Sequence, residues 1–302
     1  MTQPPNDTVA GAGSAAVQET ETEQLREIIK NLEDIPSLSS VVGEVNKAIR
    51  NPRVDANTVG KIITRDQALS AKTLKLVNSA FYGFPRRINS VTRAIIVMGF
   101  QRVRNLVLTA SVLENFKSKK SDFNFTGFWR HALGTAISAE VLAKELGLQE
   151  VDDAFVAGLM HDIGKLLVAL YAPDASRQIY ERVEKDNCLV FEAEQDLFEI
   201  THAVMGAWLA DTWQFPEKLT HAIRMHHDPA AAREHHEIIY LTHTADILCR
   251  ALDFGDPGDK KIPKMSGQVW KALNLDRDVL DRVMEQMLDG LDKAKDFLQL
   301  LQ

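Results

Sequence analysis

The stretch Asp152–Tyr171, DDAFVAGLMHDIGKLLVALY, constrains the fold of this chain more than any other. Phe155, Val156, Leu159, Met160, Ile163, Leu166, Leu167 and Leu170 recur at steps of one, three and four. That spacing predicts one α-helix with an apolar face wide enough to place it in the middle of the protein. Inside the face stand His161 and Asp162. Burying an imidazole and a carboxylate there is costly unless both are paired. Two arrangements satisfy them. A divalent metal ion could take a nitrogen and an oxygen ligand from one helical turn, or His161 could bond a neighbour while Asp162 pairs with Lys165. The stretch by itself leaves both open.

Whether the rest of the chain can supply more ligands depends first on its composition. Of 302 residues, 45% are hydrophobic and 25% charged, enough for one large domain or two modest ones. The 2 cysteines, Cys188 and Cys249, have no metal-ribbon spacing, so neither a disulfide framework nor a thiolate site is expected, which fits a reducing cytoplasm. No run approaches the roughly 18 apolar residues of a membrane span, and the N-terminus lacks the basic and apolar regions of a secretory signal. A net charge of −7 argues against a general nucleic-acid binder. All 9 histidines fall between His131 and His243, which confines any imidazole-dependent site to the second half.

Along the chain the pattern is helical throughout, and an all-α fold is expected. Residues 1–24 are polar, without Lys or Arg, and read as a floppy tail. The folded part is expected to start near Leu25. An N-terminal helical subdomain, 25–120, carries short apolar stripes: Val41, Val42, Val45 and Ile49; Val59, Ile62 and Ile63 after an Asp55 cap; Leu69, Leu74, Leu76 and Val77; Val91, Ala94, Ile95 and Met98, closed by Gly99; and Val103, Leu106, Val107 and Leu113. A second subdomain, 121–254, continues with helices over 125–146, the central stretch, 175–185, 188–198, 201–213, one with Pro216 as its first residue and ending at His226-His227, and 237–252. The C-terminal helices, 255–302, are expected to pack on this bundle through Val279, Val283, Met287, Leu291 and Phe297, or else on another subunit.

One charge run stands out. Arg86, Arg87, Arg93, Arg102, Arg104, Lys117, Lys119 and Lys120 face a single acid, Glu114, over the same span. This is either a docking face for an acidic partner, a nucleotide or RNA, or a solvated helix surface without aromatic stacking residues.

The ligand-type side chains on apolar helical faces are His131, His161, Asp162, His202, His226 with His227 beside it, and Asp246. Each alone reads as a core polar group. Together, all nitrogen or oxygen donors, they favour one or two divalent ions among Fe, Mn, Ni and Zn. His236-Glu237 is not a metalloprotease motif, because Tyr240 stands where its second histidine belongs.

The order His131, His161-Asp162, Asp246 resembles the ligand pattern of the HD superfamily of metal-dependent phosphohydrolases. His202 and the His226-His227 pair resemble the additional ligands of its binuclear members. The segment from Ile35 to Gly99, IPSLSSVVGEVNKAIRNPRVDANTVGKIITRDQALSAKTLKLVNSAFYGFPRRINSVTRAIIVMG, is similar to the start of an HDOD domain, the HD-related output domain of bacterial signalling proteins. So is HAVMGAWLADTWQFPEKLTHAIRMHHDP, from His202 to Pro229. The resemblance spans about Leu25 to Arg250 and implies an HD-like helical bundle with a regulatory role, acting through a protein partner or a small phosphorylated or nucleotide ligand. HDOD domains commonly lack several superfamily ligands, whereas this chain keeps the set. The Gly-Tyr-Pro segment of cyclic-dinucleotide phosphodiesterases is replaced here by DPAAAREHHEIIY. If the chain is instead a phosphohydrolase, the resemblance implies a first ion on His131, His161, Asp162 and Asp246, and a second on His202, His226 and His227. Asp162 would bridge the two, and Lys165 would contact a phosphate oxygen.

Overall fold

The computed structural model describes residues 37–116 and 123–294, which are helical and contain no strand. The expected tail over 1–24, the start near Leu25, the subdomain boundary at 120, Lys117, Lys119, Lys120 and Phe297 lie outside the described residues.

The N-terminal half packs α1 (Ser40–Ile49), α2 (Ala56–Thr64), α3 (Gln67–Val77), α4 (Val91–Met98) and α5 (Phe100–Asn115). Side-chain caps mark the helix starts. Asp55 accepts from the Thr58 amide, Asp66 from Leu69 and Ser90 from Arg93, each satisfying a donor that the helix cannot. The second half comprises α6 (Phe125–Glu145), α7 (Val151–Met160), α8 (Ile163–Tyr171), α9 (Pro173–Asp186), α10 (Val190–Phe198), α11 (His202–Thr212) and α12 (Glu217–Met225). A short 3-10 turn (Pro229–Ala231), α13 (His236–Ala251), α14 (Gly267–Ala272) and α15 (Arg277–Lys293) follow. Pro216 proves to be the residue before α12 rather than its first. A single hydrophobic cluster runs from Val41 to Ala294. Helix α6 lies under α7, α13 and α15, while α8 crosses α11. The C-terminal stripe thus rests on its own chain, with Val283, Met287 and Leu291 buried and Arg282 and Gln286 both bonding Glu145 on α6.

The central stretch departs from expectation in one way. It is two helices, α7 and α8, parted by a turn at His161-Asp162. Asp162 has φ −98° and ψ 8°, and its carbonyl accepts from the Lys165 amide three residues on. The reason is geometric. Consecutive residues on a regular helix point about 100° apart, so His161 and Asp162 could not face one point. The turn swings both inward and brings His161 Nε2 to 3.2 Å from Asp162 Oδ2. Taken together, Val151–Tyr171 is long and apolar enough to cross a membrane, contrary to the reading of the sequence, but 89% of its most apolar window is buried inside the protein.

The basic run is divided. Arg86, Arg87 and Arg93 are exposed. Arg102 and Arg104 instead tie α5 to α7: Arg102 bonds Asp152 at 2.7 Å and Glu140 at 3.3 Å, and Arg104 bonds Asp153 at 2.5 Å. These two belong to the joint between the halves of the chain, so a continuous docking face including them is not what the fold presents.

Candidate metal centre

Four helices and one turn bring the polar residues of the apolar faces to a common point. His131 comes from α6, His161 and Asp162 from the turn, His202 from the first position of α11, His226 and His227 from the end of α12, and Asp246 from α13. All are buried except His227, which is partly exposed. Thr201 caps α11 and so sets the first residue of that helix. Gly164 lets α8 approach α11 closely enough to meet it, since a Cβ there would stand 2.0 Å from the His202 carbonyl oxygen.

Asp162 is the hub. Its Oδ2 lies 3.2 Å from His161 Nε2 and 3.7 Å from His131 Nε2, while its Oδ1 lies 3.0 Å from His202 Nε2 and 3.7 Å from His226 Nε2. Asp246 Oδ1 sits 3.1 Å from His131 Nε2 and 3.8 Å from His161 Nε2. Donor atoms of His131, His161 and Asp162 all fall within 4.8 Å of one another, and so do those of Asp162, His202, His226 and His227. The two groups share only Asp162.

The bonding of the outer ring nitrogens shows what the inner ones are for. His161 Nδ1 and His226 Nδ1 lie 2.7 Å from the carbonyl oxygens of Gly158 and Ile223, contacts that assign a proton to Nδ1 and leave a lone pair on Nε2. His202 Nδ1 is held at 2.6 Å by Glu194, a carboxylate–imidazole pair of the kind that orients metal ligands. Meanwhile His131 Nε2, His161 Nε2, His226 Nε2 and Asp162 Oδ1 are buried and make no hydrogen bond. Native proteins rarely leave such groups unsatisfied. The His202 and His227 Nε2 atoms face each other at 3.0 Å, which requires a proton or a cation between them. The donor set therefore fits a divalent ion, and hydrogen bonding alone leaves part of it idle.

Electrostatics agree. Burial opposes ionisation of Asp162, but His161 and Lys165 outweigh it and hold the carboxyl well below its ordinary range. Asp246 is likewise held low against burial, chiefly by Arg250, whose guanidinium bonds Asp246 at 2.9 Å and Asp259 at 2.9 Å. Burial lowers His131, and burial reinforced by neighbouring imidazoles lowers His226 and His227 strongly, so these rings are neutral and ready to ligate. His202 is the exception. Burial opposes its protonation, yet Glu194 raises it.

These shifts set a pH dependence for protein stripped of metal. Histidines lowered in the folded state take up protons on unfolding once pH falls below about 6.5, so stability is lost on acidification from that point, at up to about 1.4 kcal/mol per pH unit for each proton. The single raised group, His202, works the other way, its contribution being present at low pH and lost as pH rises through its folded value. With His131, His226, His227 and His243 lowered, the expected net result is a urea midpoint that falls between pH 7 and pH 5. A midpoint unchanged over that range would show that these rings are not neutral in the folded protein.

Lys165, expected as a phosphate contact, bonds Asp162 Oδ2 at 2.7 Å and the Pro257 carbonyl at 2.9 Å. It also lines a cleft of about 1450 Å³ whose walls include Phe123, Tyr180, Arg177, Asp256 and Lys260. None of the seven convergent residues lines that cleft. Gly255, at φ 88°, holds the adjoining loop against α6, where a Cβ would strike the His131 backbone. The sequence reading missed Glu194, Arg250 and the cleft. For Arg250 a signal existed, four residues after Asp246 on one helix face. For Glu194 none did.

The chain matches the HDOD domain over residues 35–229. A solved HDOD domain protein of unknown function from Geobacter sulfurreducens is 26% identical, with a TM-score of 0.71 over 94% of this chain and 96% of that one. At 23% identity, a Shewanella amazonensis structure provisionally described as a phosphohydrolase has a TM-score of 0.71 over 92% of this chain and 98% of its own. A Marinobacter aquaeolei structure provisionally described as a signal transduction protein is also 23% identical, with a TM-score of 0.76 over 94% of this chain and 66% of its own. The chain spans about half (48%) of the curated relative it matches, a Treponema pallidum protein 30% identical over 250 residues and 82% of this chain. By the HDOD-domain match, over more than half of its length, the chain belongs to the HDOD family.

Proposed function

We propose that this HDOD protein is a regulatory module built around an interior divalent-metal centre. His131, His161, Asp162 and Asp246 would hold one ion and His202, His226 and His227 a second, with Asp162 between them. The observation that carries the reading is the set of buried ring nitrogens aimed inward without partners. An ion there would supply fixed positive charge that cross-links helices α6, α8, α11, α12 and α13, and Lewis acidity toward any oxygen able to reach it. Reach is what favours regulation over turnover: a catalytic metal keeps a coordination position open to substrate, whereas six of the seven ligands here are buried, only His227 is partly exposed, and none lines the cleft. The partner would be another protein or a small phosphorylated ligand. The name borne by the Marinobacter structure is in keeping with a signalling role.

One observation favours a second reading, a phosphohydrolase acting on a nucleotide or phosphate ester. The ammonium of Lys165 touches Asp162 on one side and lines the cleft on the other, so a phosphate in the cleft could replace the Pro257 carbonyl as its partner.

The deciding experiment is elemental analysis of untagged protein purified without oxygen, run beside His161→Ala and with an assay on a generic phosphodiester. The expected result is bound metal that falls in His161→Ala, with no turnover by the wild type. Turnover that disappears in a folded His161→Ala variant overturns the regulatory reading. No interior metal in the wild type overturns both.

A further inference from the structure

A second group of ligand-type side chains lies away from the interior centre. Glu217 and His221 are four residues apart on α12, a spacing that stacks them on one helix face. Glu234 and His235 are adjacent in the segment that leads from the 3-10 turn into α13. One donor atom from each of the four falls within 4.8 Å of every other. Two distant parts of the chain thus converge on a set of two carboxylates and two imidazoles.

Three further observations bear on what this set is for. Among the described residues, neither Glu217 nor Glu234 makes an ion pair, and the nearby Lys218 and Arg224 pair with Glu150, Asp153 and Asp211 instead. His235 Nε2 is buried without a hydrogen-bond partner. The His221 and His235 rings lie 5.1 Å apart, so the imidazoles from the two segments are already neighbours.

We propose that Glu217, His221, Glu234 and His235 form a second metal site, at the surface, for a divalent transition cation of the Zn2+ class. Two imidazole nitrogens and two carboxylate oxygens are borderline and hard donors in the number a tetrahedral ion takes, and two carboxylates neutralise its charge. Tetrahedral bonds of about 2.1 Å put donors roughly 3.4 Å apart, so the side chains need draw together by no more than about 1.4 Å from separations within 4.8 Å. The exposed glutamates can do so by changing rotamer. The bound ion pins the segment before α13 to the first turns of α12. No thiolate is involved, so the site needs no reducing environment.

The test uses the full chain, freed of metal by chelation, titrated with Zn2+ by calorimetry and with Co2+ by visible absorption. The comparison protein is His221→Ala/His235→Ala. The expected result is one fewer Zn2+ equivalent in the double variant, loss of the corresponding Co2+ band, and an unchanged helical circular dichroism spectrum. Glu217→Gln/Glu234→Gln serves as a second variant that keeps both rings, and it should bind that equivalent at least tenfold more weakly. Equal stoichiometry and affinity in wild type and both variants overturns the proposal. The interior centre fails or stands separately, since its metal is read in His161→Ala, which keeps all four surface ligands.

Discussion

Asp162→Ala is expected to strip the interior centre of metal and to lower the stability of the metal-free protein by about 3 kcal/mol, the cost of removing one partner of a buried ion pair. Asp162 is 1% exposed and holds the Lys165 ammonium at 2.7 Å. Without the carboxylate, Lys165 keeps only the Pro257 carbonyl, and a buried charge left so poorly matched is more costly than the pair was. The same substitution takes the oxygens that stand between His161 and His131 on one side and His202 and His226 on the other. Both effects are separable. Urea unfolding with chelator present reads the first, and bound metal after gel filtration reads the second. If the double variant Asp162→Ala/Lys165→Met is no more stable than Asp162→Ala alone, the orphaned ammonium is not the cause.

Gly164→Ala is expected to cost about 3 kcal/mol or more, at the upper end for overpacking a rigid interior, because the obstacle is backbone rather than a side chain that can turn away. The added carbon would stand 2.0 Å from the His202 carbonyl oxygen and 2.8 Å from the Gly206 nitrogen, so α8 and α11 must separate. Separation also moves His202 away from Asp162 and so weakens metal retention. Gly43→Ala supplies a control with the opposite sign. It lies on an exposed face of α1 with nothing within 4 Å, so helix propensity alone should make it stabilising by about 1 kcal/mol. Thermal unfolding of the three proteins side by side checks both expectations. Equal midpoints for Gly164→Ala and wild type would mean that the helices can part freely.

Much of this was legible from residue order. The helices announced themselves by apolar spacing and, in one case, by the Asp55 cap, because capping and periodicity are local; Asp66, Ser90 and Thr201 cap three more helices that the spacing alone indicates. His131, His202 and Asp246 could be singled out because each interrupts an apolar face. The turn at His161-Asp162 could not be seen, since the apolar pattern continues across it and only the demand that both residues face one point breaks the helix. Glu194 was equally hidden. It sits in FEAEQDLF beside Glu192, and nothing local says that one bonds His202 while the other caps its own helix. The basic run misled for the same reason. Charges can be counted along a chain, but the partners of Arg102 and Arg104 lie 38 to 50 residues away.

The meeting of Gly164 and Gly206 has a consequence for how such proteins can diverge. At Gly164 the obstacle is backbone, so that position cannot accept a larger residue without parting the helices, and no side-chain substitution nearby restores the missing space; at Gly206 an added carbon would press chiefly on the Ile223 and Ile163 methyls at 3.0 and 3.1 Å. The crossing of α8 and α11 is therefore closed to gradual change, along with the placement of the side chains it carries. Arg177, Glu181 and Glu184, exposed residues of α9 that line the cleft, are under no such restriction. New ligand preferences can arise there by single substitutions while the histidine cluster behind Lys165 is inherited intact.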